Sequence, residues 1–192
     1  MNENHATLCS SPEWAEFLQT GVLTPLLDGV ELGPHLIEVG PGPGAATDWL
    51  RRRVERLTAV EADAAAVAAL AEKEAGTNVE VVHGDATDLT FPDGAFDAAA
   101  TFTMLHHVPT RDGQDRVLAE LVRVVRPGGV IVGADSLASD DLRDFHEGDT
   151  YNPLPPAHLL GRLQELGCVN ITIRVTEGLT FLAHKPEAAR TG

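Results

Sequence analysis

Three glycines spaced two apart follow an apolar run in the stretch LIEVGPGPGAAT. Gly40, Gly42 and Gly44 permit backbone angles that other residues avoid, so a ligand can approach the main chain closely. A G-x-G-x-x-G loop binds pyrophosphate through backbone N–H groups. Here the spacing is G-x-G-x-G, and Pro41 and Pro43 have no N–H to donate. The loop therefore predicts close approach of a nucleotide-like ligand rather than a phosphate contact; an ordinary tight turn is the alternative.

Three carboxylates accompany this loop, one at the end of each of the first three predicted strands. Glu38 lies two residues before the first glycine, where it disfavours a pyrophosphate and suits a ligand with an ammonium or sulfonium group. Glu61 fits an acceptor for the 2′- and 3′-hydroxyls of a ribose. Asp85 is placed to accept a hydrogen bond from an exocyclic amine such as that of adenine. Its rival role is to cap a local turn.

Two adjacent histidines are the candidates for acid–base chemistry. His106 and His107 follow the fourth predicted strand, at the mouth where a substrate would enter. The pKa of histidine lies near physiological pH, so either ring suits the removal of a proton from a nucleophile. A structural role for either histidine is the alternative. We predict no metal site, because no Cys/His quartet completes a zinc site.

Four further residues are candidates for the substrate side of the site. Trp14 belongs to a predicted N-terminal helix, and Asp135 ends the fifth predicted strand. His146 and Tyr151 lie in the polar segment beyond that strand. Loops above a sheet of this kind commonly supply the substrate pocket. A solvated acidic loop is the alternative for this segment.

The elements that must position these residues alternate along the chain. The predicted strands are residues 35–39, 57–61, 79–83, 96–103 and 130–135, followed by a hairpin of 169–175 and 179–185. The predicted helices are residues 45–56, 64–75, 114–125 and 157–167, and RPGG is expected to end the third of them. This alternation predicts an α/β fold with a mostly parallel seven-stranded sheet, helices on both faces and a C-terminal antiparallel hairpin. Ligands bind such sheets outside the carboxyl ends of the strands, where the candidate residues fall.

A single domain is expected over residues 1–192, since no linker or internal repeat interrupts the pattern. Pro153, Pro155 and Pro156 disfavour regular structure near the end of one segment. The domain divides into an N-terminal helical cap segment (1–34), a cofactor-binding core (35–135), an irregular substrate-side segment (136–156) and a last helix with the hairpin (157–185).

The chain is strongly acidic, with 14 Lys and Arg against 29 Asp and Glu and a net charge of −15. This charge disfavours a phosphate backbone or an anionic membrane surface, so we expect neither nucleic acid nor membrane as a partner. Cys9 and Cys168 match no metal or redox spacing, and the N-terminus has no features of a secretory signal. A cytoplasmic location is therefore expected. The sequence does not indicate an oligomeric state.

Five blocks of the chain resemble the class I S-adenosylmethionine-dependent methyltransferases, most closely the small-molecule methyltransferase type 11 group. The blocks are LIEVGPGPGAAT, AVEAD, GDATDLTFPDGAFDAA, FTMLHHV and VVRPGGVIVGAD, and they cover roughly residues 36–135 in order. The resemblance implies a Rossmann-like, doubly wound fold. It also implies S-adenosylmethionine as cofactor, S-adenosylhomocysteine as product and a small-molecule acceptor for the methyl group.

The resemblance also implies roles for individual residues. The loop around Gly40, Gly42 and Gly44 would lie against the methionine part of the cofactor, with Glu38 near its amino group. Glu61 would bind the ribose. Ala62 would lie beside the adenine, Asp85 would bind the adenine amine, and the backbone of Ala86 would bind a ring nitrogen. Thr101 and Phe102 would line the cofactor next to the reacting methyl group.

Two other functions are compatible with parts of this pattern. An NAD-type oxidoreductase shares the sheet and the carboxylate at the ribose, but the glycine spacing, Glu38 and the two prolines disfavour it. A non-enzymatic S-adenosylmethionine-binding protein would have the same loop. The atom that accepts the methyl group cannot be inferred from the sequence.

Overall fold

The computed structural model describes residues 7–188, so the first six residues of the predicted cap segment lie outside the described part of the chain. The strands are β1 (His35–Val39), β2 (Arg56–Glu61), β3 (Val79–His83), β4 (Phe96–Phe102), β5 (Val125–Asp135), β6 (Val169–Val175) and β7 (Leu179–His184). The main helices are α1 (Pro12–Phe17), α2 (Thr24–Leu27), α3 (Ala45–Leu50), α4 (Ala64–Lys73), α5 (Arg111–Val124), α6 (Asp140–Phe145) and α7 (Pro156–Glu165).

Two shorter helical segments complete these elements. A π-helix at Leu18–Leu23 joins α1 to α2, and a 3-10 turn at Leu105–His107 follows β4. None of the helices among residues 7–188 is both long and apolar enough to cross a membrane.

The seven strands form one sheet in the order β3-β2-β1-β4-β5-β7-β6. Neighbouring strands from β3 to β5 are parallel, whereas β7 runs antiparallel to both β5 and β6. The predicted α/β fold, with its doubly wound sheet and C-terminal hairpin, is therefore confirmed. The strand order reverses between β1 and β4, and the crevice at such a reversal is where ligands bind in open α/β sheets.

Strand β1 is buried on both faces, because helices cover the sheet from both sides. Ile37 packs in the apolar cluster that includes Leu118 of α5. Leu36 packs in the other cluster with Trp49 of α3. Since side chains alternate along a strand, Glu38 lies on the same face as Leu36 and points toward α3.

Two regions differ from the sequence-based expectation around the strand β5. RPGG was expected to separate a helix from this strand, but α5 ends at Val124 and β5 already begins at Val125. The pairing with β4 is irregular there, because Phe96 pairs with Val125 while Ala98 pairs with Val130. Residues 126–129 therefore form a bulge, which is a feature that local composition does not distinguish from a turn.

The segment 136–156, predicted to be irregular, contains the short helix α6. The Ser139 side chain accepts a hydrogen bond of 3.1 Å from the N–H of Leu142, and Asp140 and Asp141 occupy the first turn. A capping serine and early acidic residues both stabilise a helix N-terminus. The prolines that led to the prediction lie after this helix and do not interfere with it.

Close packing around Gly133 of β5 gives a prediction about stability. A β-carbon there would approach the Phe181 ring of β7 to 2.4 Å and the Thr101 carbonyl oxygen to 2.8 Å. We expect Gly133→Ala to lower the free energy of unfolding by about 1–3 kcal/mol, measured by urea denaturation, because the strands must separate. Gly161→Ala is the control, since that glycine lies in α7 with open space around it. It should stabilise by about 0.5–1 kcal/mol; equal effects of the two changes would contradict the packing argument.

Candidate active site

A cavity of about 480 Å³ opens at the carboxyl ends of β1, β2 and β4. This volume is within the range of small-ligand sites. Four acidic residues, Glu38, Glu61, Asp63 and Asp149, line it, and its described walls contain no Lys or Arg. The cavity therefore suits a ligand that carries positive charge and hydroxyl groups, and it disfavours a polyphosphate.

The backbone of the glycine loop directs its N–H groups into the protein. Gly40 N–H donates to the Val60 carbonyl at 2.9 Å, and Gly44 N–H donates to the Pro41 carbonyl at 2.9 Å. Gly42 N–H donates to Glu61 Oε2 at 3.1 Å. The two intervening residues are prolines, so residues 40–44 present no remaining N–H with which to bind a phosphate.

Glycine is required in this loop for conformational and steric reasons. Gly40 and Gly44 have φ of 67° and 81°, a region that side chains disfavour. A β-carbon on Gly40 would lie 2.1 Å from Met104 Cγ, and one on Gly44 would lie 2.5 Å from Leu70 Cδ1. Gly42, with φ of 52°, has no atom within 4 Å of such a β-carbon. The outer glycines thus permit packing against the protein, whereas Gly42 leaves open space.

Glu61 connects the ends of two neighbouring strands. Besides the bond from Gly42, its Oε1 accepts hydrogen bonds from the N–H groups of Ala62 at 2.8 Å and Asp63 at 3.1 Å. These bonds fix the carboxylate at the edge of the cavity. A carboxylate has about four acceptor positions, and three are used, so one remains for a ligand hydroxyl.

Glu38 is a buried carboxyl group in the cavity wall, with 1% of its surface exposed. The hydroxyl of Thr47, in the first turn of α3, donates to Glu38 Oε2 at 2.6 Å. Burial raises the pKa of Glu38 to about 7, although the Thr47 hydrogen bond acts in the opposite direction. The group therefore titrates near neutral pH, and a cation beside it would favour its charged form.

Lys73 and Thr47 are two contributors that were not selected from the sequence. Lys73 Nζ donates to the carbonyls of Pro43 at 3.0 Å and Gly44 at 3.2 Å, and forms an ion pair with Asp48 at 2.8 Å. A lysine at the end of α4 gives no local signal that it reaches this loop. Thr47 belongs to the glycine-rich stretch itself, and its spacing from Glu38 was the available clue.

The residues selected from the sequence fall into two groups. Those that line the cavity are Trp14, Glu38, Gly40, Gly42, Glu61, Phe102 and His107. Those outside the described lining are Gly44, Ala62, Asp85, Ala86, Thr101, His106, Asp135, His146 and Tyr151. Side-chain alternation separates Phe102, which faces the cavity, from the neighbouring Thr101, which is buried inside the sheet. Thr103 and Met104 extend the lining instead.

Asp85 makes the local contacts of a turn-capping residue. Its Oδ1 accepts hydrogen bonds of 2.8 Å from both the N–H and the hydroxyl of Thr87. The residue is exposed. The rival role considered from the sequence is thus present in the structure, and Asp85 Oδ2 is the oxygen left for an adenine amine.

The histidines and the remaining substrate-side candidates lie beside the cavity. His107 is in its wall, whereas His106 is buried behind it and contacts Asp135, with 2.5 Å between Nδ1 and Oδ1. The ring of His146 stacks on Tyr151 with 4.8 Å between centroids. Of the two histidines considered as a base, His107 is the one that can reach a ligand in the cavity.

Known proteins share both the sequence and the fold of this chain. Residues 37–133, just over half of its length, match the family described as methyltransferase domain. A fatty-acid O-methyltransferase of Mycolicibacterium smegmatis is 31% identical over 124 residues, which are 64% of this chain and 44% of that protein. A phthiotriol/phenolphthiotriol dimycocerosates methyltransferase of Mycobacterium leprae is 29% identical over 155 residues, 80% of this chain and 53% of that protein. The chain thus spans about half the length of these curated relatives.

A solved structure shows the same fold at low identity. Phosphoethanolamine N-methyltransferase 2 of Haemonchus contortus, in complex with S-adenosyl-L-methionine, superposes with a TM-score of 0.73 and 13% identity over 91% of this chain and 53% of that chain. The chain belongs to the methyltransferase domain family. The resemblance to class I S-adenosylmethionine-dependent methyltransferases, and with it the predicted cofactor, is confirmed.

The raised pKa of Glu38 gives a prediction about stability. Because the folded protein binds this proton more tightly than the unfolded chain, the stabilisation from the protonated carboxyl is present below pH about 4.5 and is lost as the pH rises through about 7. Glu38→Gln should therefore stabilise the protein relative to wild type at pH 8, by up to roughly 3 kcal/mol, and much less at pH 5. Thermal denaturation across this range, with the exposed Glu72→Gln as control, measures the difference; parallel pH profiles of wild type and Glu38→Gln would contradict it.

Proposed function

We propose that this protein transfers a methyl group from S-adenosylmethionine to a small-molecule acceptor. The main support is the hydrogen bonding of the glycine loop, whose N–H groups are all donated within the protein or absent at proline. A loop of this kind at the strand-order reversal accepts a nucleoside ligand but does not bind a pyrophosphate. This observation separates the proposal from a function that uses NAD.

The acidic cavity fits the chemistry of the proposed cofactor. Glu38 would pair with the ammonium group of the amino acid end, and the adjoining Gly42 leaves room for close approach. Glu61 would accept a ribose hydroxyl at the end of β2. The roles of Gly40, Gly44, Ala62, Asp85, Ala86, Thr101 and Phe102 toward the cofactor stay predictions from the resemblance. Bound S-adenosylmethionine supplies a methyl group that is already activated by the sulfonium.

The protein's own contribution to methyl transfer is alignment and exclusion of water. The cavity walls other than the glycine loop itself include Trp14 of α1, Thr103 and Met104 after β4, and Asp149. These residues surround the space in which an acceptor would lie. A base is needed only when the accepting atom carries a proton of high pKa, and His107 is the residue placed for that task.

Two observations support a small-molecule acceptor. The relatives described above are named as a fatty-acid O-methyltransferase and a phthiotriol/phenolphthiotriol dimycocerosates methyltransferase, so neither is named for a protein or a nucleic acid. The net charge of −15 disfavours the backbone of a nucleic acid. We therefore expect an acceptor with a carboxyl, hydroxyl or phenol group. A cytoplasmic location, as predicted from the sequence, is part of the same proposal.

Ligand calorimetry and product analysis together test the proposal. We expect S-adenosylhomocysteine to bind with one site per chain while NAD shows no binding at the same concentrations, because no N–H of the loop is left for pyrophosphate. Incubation with methyl-labelled S-adenosylmethionine and a panel of fatty acids, lipid alcohols, phenols and ribosomal RNA should label a small molecule.

Each outcome of that test has a distinct meaning. Binding of NAD without binding of S-adenosylhomocysteine would overturn the methyltransferase proposal. Cofactor binding with label found in RNA alone would overturn the small-molecule acceptor. Cofactor binding without transfer of label to any member of the panel would favour a non-enzymatic S-adenosylmethionine-binding protein.

Glu61 gives a residue-specific prediction. We expect Glu61→Ala to weaken S-adenosylhomocysteine binding by more than tenfold, because both the ribose acceptor and the anchor of Gly42 are lost. Glu61→Gln keeps an acceptor oxygen and should lose less. Isothermal titration measures both, with the exposed Glu72→Ala as the matched control. Unchanged affinity in Glu61→Ala would refute the ribose role.

A further inference from the structure

Three histidine side chains converge beside the cavity. His106 and His107 lie in the 3-10 turn after β4, and His146 ends α6. Their ring centroids are 4.1, 5.0 and 5.3 Å apart in the three pairings. Each ring offers one nitrogen such that the three nitrogens lie within 4.8 Å of one another. Imidazoles that converge in this way from two separate segments can serve together as metal ligands.

The hydrogen bonds of two rings indicate which nitrogen could bind a metal ion. His106 Nδ1 contacts Asp135 Oδ1 at 2.5 Å, and His146 Nδ1 lies 2.6 Å from the Leu142 carbonyl oxygen. A carbonyl only accepts, so His146 Nδ1 carries a proton, and the same holds for His106 against an ionised Asp135. In the neutral rings Nε2 is then the nitrogen with a lone pair, as in metal-binding histidines whose other nitrogen donates to a carboxylate or carbonyl.

Asp135 is a buried carboxyl group next to this cluster. Its residue exposure is 3% and that of His106 is 2%. Its two oxygens also accept hydrogen bonds from the N–H groups of His106 at 3.2 Å and Ser136 at 2.7 Å, which fix the carboxylate. A carboxyl group held against the other nitrogen of the ring fixes the orientation of a metal-binding imidazole.

We propose that His106, His107 and His146 bind one divalent transition-metal ion, with Zn²⁺ as the expected ion and Asp135 as the residue that orients His106. Imidazole ligands suit zinc and its neighbours in the first transition row. Nitrogens at about 2.0–2.1 Å from a tetrahedral zinc lie roughly 3.3 Å from one another, so binding would draw the three rings closer together than the 4.8 Å limit within which they now lie. Three protein ligands leave a fourth position for water or an acceptor oxygen.

His107 links this proposed site to the cavity, because it belongs to both. A metal ion there would lie on the acceptor side, next to the space bounded by Met104 and Asp149. An acceptor hydroxyl on the fourth position would be bound through oxygen, with its pKa lowered by the ion. With the metal bound, this activation would take the place of His107 as a base, because a metal-bound imidazole cannot also accept a proton. Metal binding itself is independent of methyl transfer and is measured without cofactor or acceptor.

Titration with Co²⁺ as a spectroscopic probe tests the site. The full chain, prepared without a polyhistidine tag and stripped with EDTA, should bind one Co²⁺ with the visible absorption of a low-coordinate ion, and Zn²⁺ should displace it. His107→Ala and His146→Ala should each weaken Co²⁺ binding by at least a hundredfold. Asp135→Asn should weaken it by about 10–100-fold, as expected of a residue that positions a ligand. His158→Ala, an exposed histidine of α7, should leave binding unchanged.

Circular dichroism and S-adenosylhomocysteine titration separate loss of the site from loss of the fold. His107 is half-buried, so its alanine variant is the one expected to keep a native melting curve. Absence of Co²⁺ binding by the wild-type chain would overturn the proposal. Wild-type affinity retained in both His107→Ala and His146→Ala would also overturn it, since the ion would then be held elsewhere. A histidine variant that loses Co²⁺ binding but still binds S-adenosylhomocysteine would support a metal site that is separate from the cofactor site.

Discussion

The hydrogen bond from Gly42 to Glu61 connects the ends of β1 and β2, and the geometry of the cavity depends on it. It removes the one N–H of the loop that does not bond to backbone, and it fixes a carboxylate in the place where a phosphate-binding protein would present donors. The loop thereby becomes an acidic rim rather than an anion site. The predicted preference for a cationic, hydroxyl-bearing ligand thus rests on backbone geometry as much as on side-chain charge.

Two buried carboxyl groups, Glu38 and Asp135, lie on opposite sides of the strand-order reversal and are stabilised in different ways. Glu38 accepts a hydrogen bond from a hydroxyl group, and burial raises its pKa to about 7. The carboxyl group can therefore be neutral when no cation lies beside it. Asp135 accepts bonds from two backbone N–H groups and an imidazole. The arrangement at Glu38 suits a site where a positive charge arrives and leaves with a ligand. The arrangement at Asp135 suits a carboxyl group that holds the His106 ring in one orientation.

The strands and the loop were predictable from the sequence because their signals are local. Short runs rich in apolar and β-branched residues defined β1, β3 and β6 to the residue, with a glycine directly after the first two and a Thr-Glu-Gly turn after β6. Side chains alternate between the two faces of β4, so the sequence also predicts that Phe102 and Thr101 point in opposite directions. The resemblance alone assigned both residues to the surroundings of the methyl group. Lys73 and His146 were beyond prediction as partners of the loop and of His106, because their contacts depend on how α4 and α6 pack on the sheet. The helix α6 was not predicted, because its local start signal is a single serine cap within a polar segment that also contains three prolines.

The position of β7 between β5 and β6 has a consequence for how the protein folds during synthesis. Until residues 179–184 emerge from the ribosome, β6 has no neighbour in the sheet and the edge of β5 that bears Asp135 stays open. The same short strand fills both positions, so β5 and β6 take their native places in the sheet only after it has been made. This end of the sheet thus depends on a contact between residues distant in sequence, while the glycine loop and β1–β4 belong to earlier parts of the chain.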